Sequence, residues 1–288
     1  MLTAEGRRER RPPRSLRAEY EHFIDQRIEE YKDSLPREEV LGIGDEAVQE
    51  LARAEQFQLT EVVLREQVDA IIRRRLKLPS FRRWRDRHVA LRAAQAQPGH
   101  WGLAPHEPVA ALAELLEPQD PILVIGAADG ACALFLAARG ANVTVVDPDI
   151  AAVYGLENRA IVEALGGQIA CEVVPLAVYA PGSTAFAACV LETSALADLA
   201  AAVRSALVQR LKEATPPHGR HVVMPGALAR GGTPSLTSDA LRSHYADWEV
   251  LRPPLGSGSA GGRRPRNVGF TAIRRAERQT ATPVAVSE

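Results

Sequence analysis

Two hydrophobic rhythms divide this chain. From Glu19 to about Gln97, apolar residues recur at three- and four-residue steps, as in Tyr20, Phe23, Ile24, Ile28, Tyr31 and Leu35. That spacing predicts amphipathic helices. Pro36 interrupts the first. Asp45 can cap a second helix that buries Val48, Leu51 and Ala52. Thr60 can cap a third, with Leu64, Val68, Ile71, Ile72 and Leu76 on one side, and Pro79 stops it. Ser80 can cap a fourth that runs to about Gln97.

Gln97-Pro98-Gly99 reads as a joint, and beyond it short apolar runs alternate with helical ones. Strands are expected near 122–126, 142–147, 169–174, 187–192, 220–224, 248–252 and 267–273, and helices near 107–116, 131–139, 149–165, 196–213 and 238–245. The last two strands are joined directly by the loop GSGSAGGRRPRN, residues 256–267, so they should pair antiparallel. The expected fold is therefore α/β. A Rossmann-like, mostly parallel seven-stranded sheet ends in an antiparallel hairpin, and an all-helical domain precedes it. The expected division is a disordered basic tail over 1–18, a helical domain over 19–97, the sheet domain over 98–277 and a disordered tail over 278–288.

Composition narrows the function classes. The formal net charge is −1 and 5% of residues are aromatic, so neither a general nucleic-acid surface nor a base-stacking platform is supplied. No uninterrupted apolar run reaches the ~18 residues of a membrane span, and the arginine-rich start lacks the apolar core of a secretory signal. Cys132, Cys171 and Cys189 have no C-x-x-C spacing and read as reduced thiols of a cytoplasmic protein. No histidine pair has ligand spacing, so no metal is expected.

Charge is segregated within the helical part. Residues 19–61 hold 13 acids and 4 bases, and residues 65–92 hold 10 bases and 3 acids. Three readings stand: basic helices packing beside acidic ones, an arginine stripe (Arg73, Arg74, Arg75, Arg82, Arg83, Arg85, Arg87) meeting an anion or RNA, and a homodimer contact.

The chemistry is concentrated in PILVIGAADGACALFLAARGANVTVVDPD, from Pro121 to Asp149. A strand, a Gly/Ala turn, a small-residue helix, a second strand and a terminal acid build a nucleotide-binding crevice. Gly126 ends the first strand, Gly130 lets the backbone turn closely, and the following helix aims free N–H groups at a ligand. Asp147 can accept both hydroxyls of a ribose. The turn fits two frames. The nicotinamide frame G-x-G-x-x-G/A reads Gly126-Ala127-Ala128-Asp129-Gly130-Ala131, and the frame G-x-G-x-G reads Gly126, Ala128, Gly130. The C-terminal hairpin favours the second.

On these residues, with CVLETSALADL, RLKEATPPHGRHVVMPGA and SDALRSHYADWEVL before a closing NVGFTAIRR, the chain from about 100 to 275 resembles the class I S-adenosylmethionine-dependent methyltransferases. It looks most like the small tellurite-resistance-type enzymes. The resemblance implies S-adenosyl-L-methionine as cofactor and a small-molecule acceptor. Gly126, Ala127, Ala128, Asp129 and Gly130 would line the cofactor's methionine and ribose side, Asp147 with Pro148 beside it would hold the ribose, and the Val174–Ala177 segment, with Leu176, would flank adenine. The chain departs from the family at Val124 and Pro175, where acids are usual.

Methyl transfer from a sulfonium is an in-line displacement, so orientation does most of the work and a base is needed only for an acceptor that must lose a proton. Glu192 and Thr193, closing the fourth strand, would face the methyl group and acceptor, with Glu192 also a cofactor contact. His106, in WGLAPHEP, is the other candidate base. Trp101 reads as a pocket wall or an interdomain packing residue, and His218 and His221 as strand-flanking residues. Two alternatives remain at this stage: a non-catalytic methyltransferase-fold assembly protein, and an RNA methyltransferase using the arginine-rich helices. LETS at the fourth strand is not the N/D-P-P-Y/F tetrapeptide.

Overall fold

Ser15 accepts the Ala18 backbone N–H and starts α1 (Leu16–Ser34), so 15–18 belong to a helix and not to a basic tail. The computed structural model describes residues 15–53, 60–183, 185–225, 236–251 and 269–275. The loop expected over 256–267 and the tail expected over 278–288 lie outside the described residues, as do residues 1–14. The chain divides into two compact units, Met1–Arg92 and Ala93–Glu288.

The first unit is helical. α1 is followed by α2 (Arg37–Arg53), α3 (Glu61–Arg75) and α4 (Phe81–Gln95), and the division between units falls within α4. Ile24 and Ile28 of α1, Ile43 and Ala47 of α2, and Ile71 and Ile72 of α3 form its core. α2 starts straight after Pro36, eight residues before Asp45; the Glu39 and Val40 N–H groups donate to the Pro36 carbonyl. Gly42 and Gly44 both sit inside this helix, because tertiary packing of Ile43 and Ala47 outweighs about 1 kcal/mol of glycine propensity each. Val48 is consequently exposed, and the buried residues are Ile43, Ala47 and Leu51.

Acidic and basic helices pair here. Arg74 of α3 reaches both Glu50 carboxylate oxygens at 2.7 Å, Arg75 meets Glu46, and Lys32 meets Asp69 at 2.9 Å. On α4, Arg82, Arg83 and Arg87 are exposed, and Arg85 pairs with its neighbour Asp86. Tyr20, Phe81 and Trp84 form an aromatic group with centroids 5.4–6.4 Å apart, and the Tyr20 hydroxyl donates to the Pro79 carbonyl at 3.0 Å.

The second unit is built on a seven-stranded sheet of β1 (Pro121–Ile125), β2 (Asn142–Asp147), β3 (Ile169–Val173), β4 (Ala188–Glu192), β5 (Arg220–Met224), β6 (Glu249–Leu251) and β7 (Phe270–Ile273). The order is β3-β2-β1-β4-β5-β7-β6. β1 to β5 are parallel, and β7 runs antiparallel to both β5 and β6. Strand alternation sends Ile122 and Val124 to one face and Leu123 and Ile125 to the other. The first face packs α5 (Pro108–Ala113), α6 (Ala131–Ala138) and α7 (Ile150–Val162). The second packs α9 (Ala201–Ala214) and α10 (Ser238–Arg242); a short α8 (Thr193–Leu196) follows β4.

Trp101 belongs to the first of these cores and donates its indole N–H to the Gln95 carbonyl at 2.8 Å. Among the described residues, no helix links β3 to β4. That segment instead places Leu176 and Tyr179 in the core beside α9, and Arg210 clamps it by donating to the Tyr179 and Ala177 carbonyls at 2.9 and 3.0 Å. His221 lies within β5, not at its flank, and is fully buried.

Candidate functional site

The carboxyl ends of β1, β2 and β4 meet at one bend. β1 stops at Ile125, and the backbone turns through Gly126 (φ +105°), Ala128 (φ +30°) and Gly130 (φ +73°) into α6. Glycine is required at 126 twice over. Its φ is left-handed, and a Cβ there would lie 2.8 Å from the Ala195 Cβ and 3.1 Å from the Glu192 Cβ. At 130 a Cβ would meet the Leu156 Cδ1 at 2.7 Å. Ala128 occupies the middle position with a positive φ and is exposed.

Asp147 closes β2 and is 7% exposed. Its Oδ2 accepts the Ala127 N–H and its Oδ1 accepts the Asp149 N–H, both at 2.7 Å. The carboxylate thus ties the bend after β1 to the turn after β2. It does not cap α7. Asp149 does that, accepting the Ala151 N–H at 2.8 Å, and Pro148 between them is exposed. Asp129, one residue before the N-cap Gly130 of α6, accepts the Ala131 N–H at 3.0 Å, and its own carbonyl accepts from Arg159.

Glu192 stands at the N-cap position of α8, yet its side chain makes no cap bond. It is 5% exposed and pairs with the Cys132 thiol on the first turn of α6. Burial, reinforced by the charges of Asp129 and Asp147, pushes its pKa up to about 8. The Cys132 thiol is pushed well up in turn, chiefly by burial and then by Glu192. A carboxyl titrating near neutrality beside a Gly turn is able to hold or release a proton at the working pH. Thr193 follows it, buried at the start of α8.

Most of the expected site residues lie at one bend where the carboxyl ends of β1, β2 and β4 meet: Gly126, Ala127, Ala128, Asp129, Gly130, Asp147 and Glu192. Leu176 does not join them. It is a core side chain, 2% exposed, because its segment fills the place of the missing helix between β3 and β4. His106 is an exposed loop residue. Its neighbour Glu107, which the sequence reading passed over, is the one that senses Asp129 and Cys132 electrostatically. Only its position immediately before the helix-starting Pro108 marked it out. Among the described residues, no group of three or more His, Cys, Asp or Glu side chains is placed to hold a metal ion.

The sheet order decides the fold type. A dinucleotide-binding domain adds a sixth parallel strand, order 3-2-1-4-5-6. Here the outermost position on that side holds β6, and a reversed β7 is inserted between it and β5. The fold is that of the class I methyltransferases.

The chain matches no protein-family model and no curated protein. Solved structures similar to this methyltransferase-type fold include the N-methyltransferase NodS from Bradyrhizobium japonicum WM9 (16% identity, covering 60% of this chain and 94% of that one, TM-score 0.45). TehB from Haemophilus influenzae gives 19% identity, 58% and 61% coverage and a TM-score of 0.42. A TehB-like SAM-dependent methyltransferase from Corynebacterium glutamicum gives 18%, 68% and 95%, and 0.43. At such identities and scores the fold assignment rests on the strand order itself. Among the described residues, no helix is long and apolar enough to cross a membrane.

Proposed function

We propose that this chain is a cytoplasmic S-adenosylmethionine-dependent methyltransferase acting on a small molecule. The observation that carries the reading is the pair of 2.7 Å bonds that the Asp147 carboxylate accepts from the bend after β1 and the turn after β2. They put a buried carboxylate beside a small-residue bend at the carboxyl ends of β1, β2 and β4. The chain leaves β1 toward β2 and β3 and then crosses to β4, so the bend lies at the topological switch point where ligands bind such sheets.

The residues fit an adenosine cofactor. A carboxylate has about four acceptor sites, and Asp147 uses one on each oxygen, leaving one on each for a ribose hydroxyl. Ala127 and Ala128 carry only methyl groups, while glycine at 126 and 130 accommodates the neighbouring Ala195, Glu192 and Leu156 side chains. The Ala131 N–H at the start of α6 already donates to Asp129, and the other first-turn N–H groups, having no intrahelical acceptor, favour an anion such as an amino-acid carboxylate. The cofactor supplies an activated methyl group when bound. What the protein adds is orientation: Asp147 fixes the sugar, the bend fixes the depth, and Glu192 places a proton-holding carboxyl beside the reacting end.

Native mass spectrometry of the purified full chain tests this. With S-adenosylmethionine present, a 1:1 adduct should form, and Gly130→Val, which drives a side chain into Leu156, should abolish it. Absence of any adduct with the wild type at millimolar cofactor overturns the assignment.

A further inference from the structure

The first face of the sheet is covered unevenly. The start of α5 presses onto β5 and β7: a Cβ at Gly269 would meet the Val223 carbonyl oxygen at 2.5 Å and the Pro108 Cγ at 3.0 Å. Beside this short helix a groove of about 660 Å³ stays open, within the size range of small-molecule sites. Pro105, Pro108, Ala111 and Leu115 line it from the helix side, and Leu251 and Ile273 from the outer strands. Leu115 and Leu251 are 59% and 46% exposed, so this apolar wall is open to a ligand.

Strand register puts one cation into this wall. β5 alternates, with Val222 and Met224 in the first core and Val223 in the second, so Arg220 shares the side of Val222. Arg220 pairs across to Ile273, and Thr271 pairs with Val222 on one side and Leu251 on the other. All four groove residues therefore share one face, and Arg220 and Thr271 are diagonal neighbours, roughly 7–8 Å apart at the backbone. Among the described residues, neither the Arg220 guanidinium nor the Thr271 hydroxyl has a hydrogen bond or an ion pair. A charged side chain at a strand position whose row otherwise buries apolar residues breaks the pattern, and such breaks occur at functional places. The acids nearby do not satisfy it. Glu114 bonds Arg139 at 3.0 Å, Glu107 buries its Oε2, and Glu249, opposite Ile273, stands two strand spacings away, about 9.5 Å.

We propose that this groove is a second ligand site, separate from the β1 bend, and that it takes a small monocarboxylate with an apolar body. The Arg220 fork and the Thr271 hydroxyl donate to the carboxylate, and the body lies against Ala111, Leu115 and Leu251. One planar guanidinium matches one carboxylate in shape and in charge. A phosphate monoester, with close to two charges at neutral pH, would leave charge unpaired beside Glu107 and Glu114. The site begins at the amino end of β5, whereas the bend lies at the carboxyl ends of β1, β2 and β4. The inference goes beyond the methyltransferase reading and does not rest on it.

The test titrates octanoate and n-octylamine, equal in chain length and opposite in charge, into the isotope-labelled full chain at neutral pH and follows the backbone amide NMR signals. Octanoate should bind about tenfold more tightly than octylammonium, the scale of one charge-assisted hydrogen bond. Its shifts should fall at Ala111, Leu115 and Thr271 and leave Ala127 and Gly130 in place. Acetate, which has the charge without the body, should bind far more weakly than octanoate. Arg220→Gln, which removes the charge and keeps most of the length, should erase the preference for octanoate. Ala111→Trp should weaken both probes by filling the groove, and the amide spectra of both variants report whether they fold. S-adenosylhomocysteine should not displace octanoate. No binding of octanoate, equal binding of the two probes by wild type, a preference that survives Arg220→Gln, or displacement by S-adenosylhomocysteine overturns the proposal. Selective octanoate binding by a protein that takes no S-adenosylhomocysteine would leave this site standing and remove the methyl-donor assignment.

Discussion

Asp147 Oδ2 accepts the Ala127 backbone N–H at 2.7 Å, so the acid that ends one strand holds the bend that follows its neighbour. The same residue is thus structural before any ligand arrives. Asp147→Ala should cost about 1–3 kcal/mol of stability, the usual penalty for leaving hydrogen-bonding groups unpaired in a buried setting. Asp147→Asn should cost nearly as much, because an amide can accept on one side only and presents N–H to N–H on the other. Urea unfolding of the three proteins checks this, and a wild-type midpoint in Asp147→Asn would contradict it.

Glu192 links stability to pH from the alkaline side. Its folded pKa, about 8, lies above the ordinary 4.5, so the fold favours the neutral carboxyl. That contribution is complete below pH 4.5 and is lost as pH rises from about 4.5 through about 8. Glu192→Gln should therefore melt higher than wild type at pH 8.5 and at the same temperature at pH 4. A thermal scan at the two pH values reads the difference. Equal melting at both would show that the carboxyl is not held neutral.

His221 works in the opposite direction. Thr215 donates its hydroxyl to the Leu211 carbonyl at 2.7 Å, so it receives the His221 Nε2–H at 2.8 Å, and Nδ1 accepts the Tyr245 hydroxyl at 2.9 Å. Full burial, with Lys212 nearby, pushes the imidazole pKa down to about 3. Its stabilising effect is complete above pH 6.5 and fades as pH falls toward 3. Tyr245→Phe should cost about 1–3 kcal/mol by leaving Nδ1 unpaired. His221→Leu should be less stable than wild type at pH 7, and its stability should fall less steeply between pH 6.5 and 4. Parallel slopes for the two proteins would remove His221 from the acid response.

The ion pairs of the helical unit should matter far less. Arg74 is 57% exposed, so Arg74→Ala should cost at most about 1 kcal/mol and less at high salt. Denaturant midpoints in 0.05 and 1 M salt check it; a loss larger than that in high salt would mean that packing of the arginine stem dominates.

The alternation of apolar positions made the sheet legible, because a period of two and a period near 3.6 leave different marks in a sequence. The β1 bend and Asp147 were legible for the same reason: strand ends and glycines are local signals. What escaped was decided by packing. Asp45 looks like a cap, yet burial of Ile43 and Ala47 carries α2 through it. Leu176 looks like a loop residue facing a ligand, but a missing helix draws it into the core. His106 drew notice because histidine is the common proton carrier, whereas the buried oxygen belongs to Glu107 next door. Nothing local distinguishes a buried glutamate oxygen from a solvated one.

The arrangement stands or falls on whether the bend between Gly126 and Gly130 receives an adenosine sulfonium or thioether. Isothermal titration calorimetry with S-adenosylhomocysteine, on wild type and Asp147→Ala side by side, measures that directly. The account predicts saturable 1:1 binding by wild type and at least tenfold weaker binding by the variant, since a charge-assisted hydrogen bond contributes about 1.5–3 kcal/mol. No heat from wild type at millimolar ligand, or equal affinity in both proteins, would contradict it.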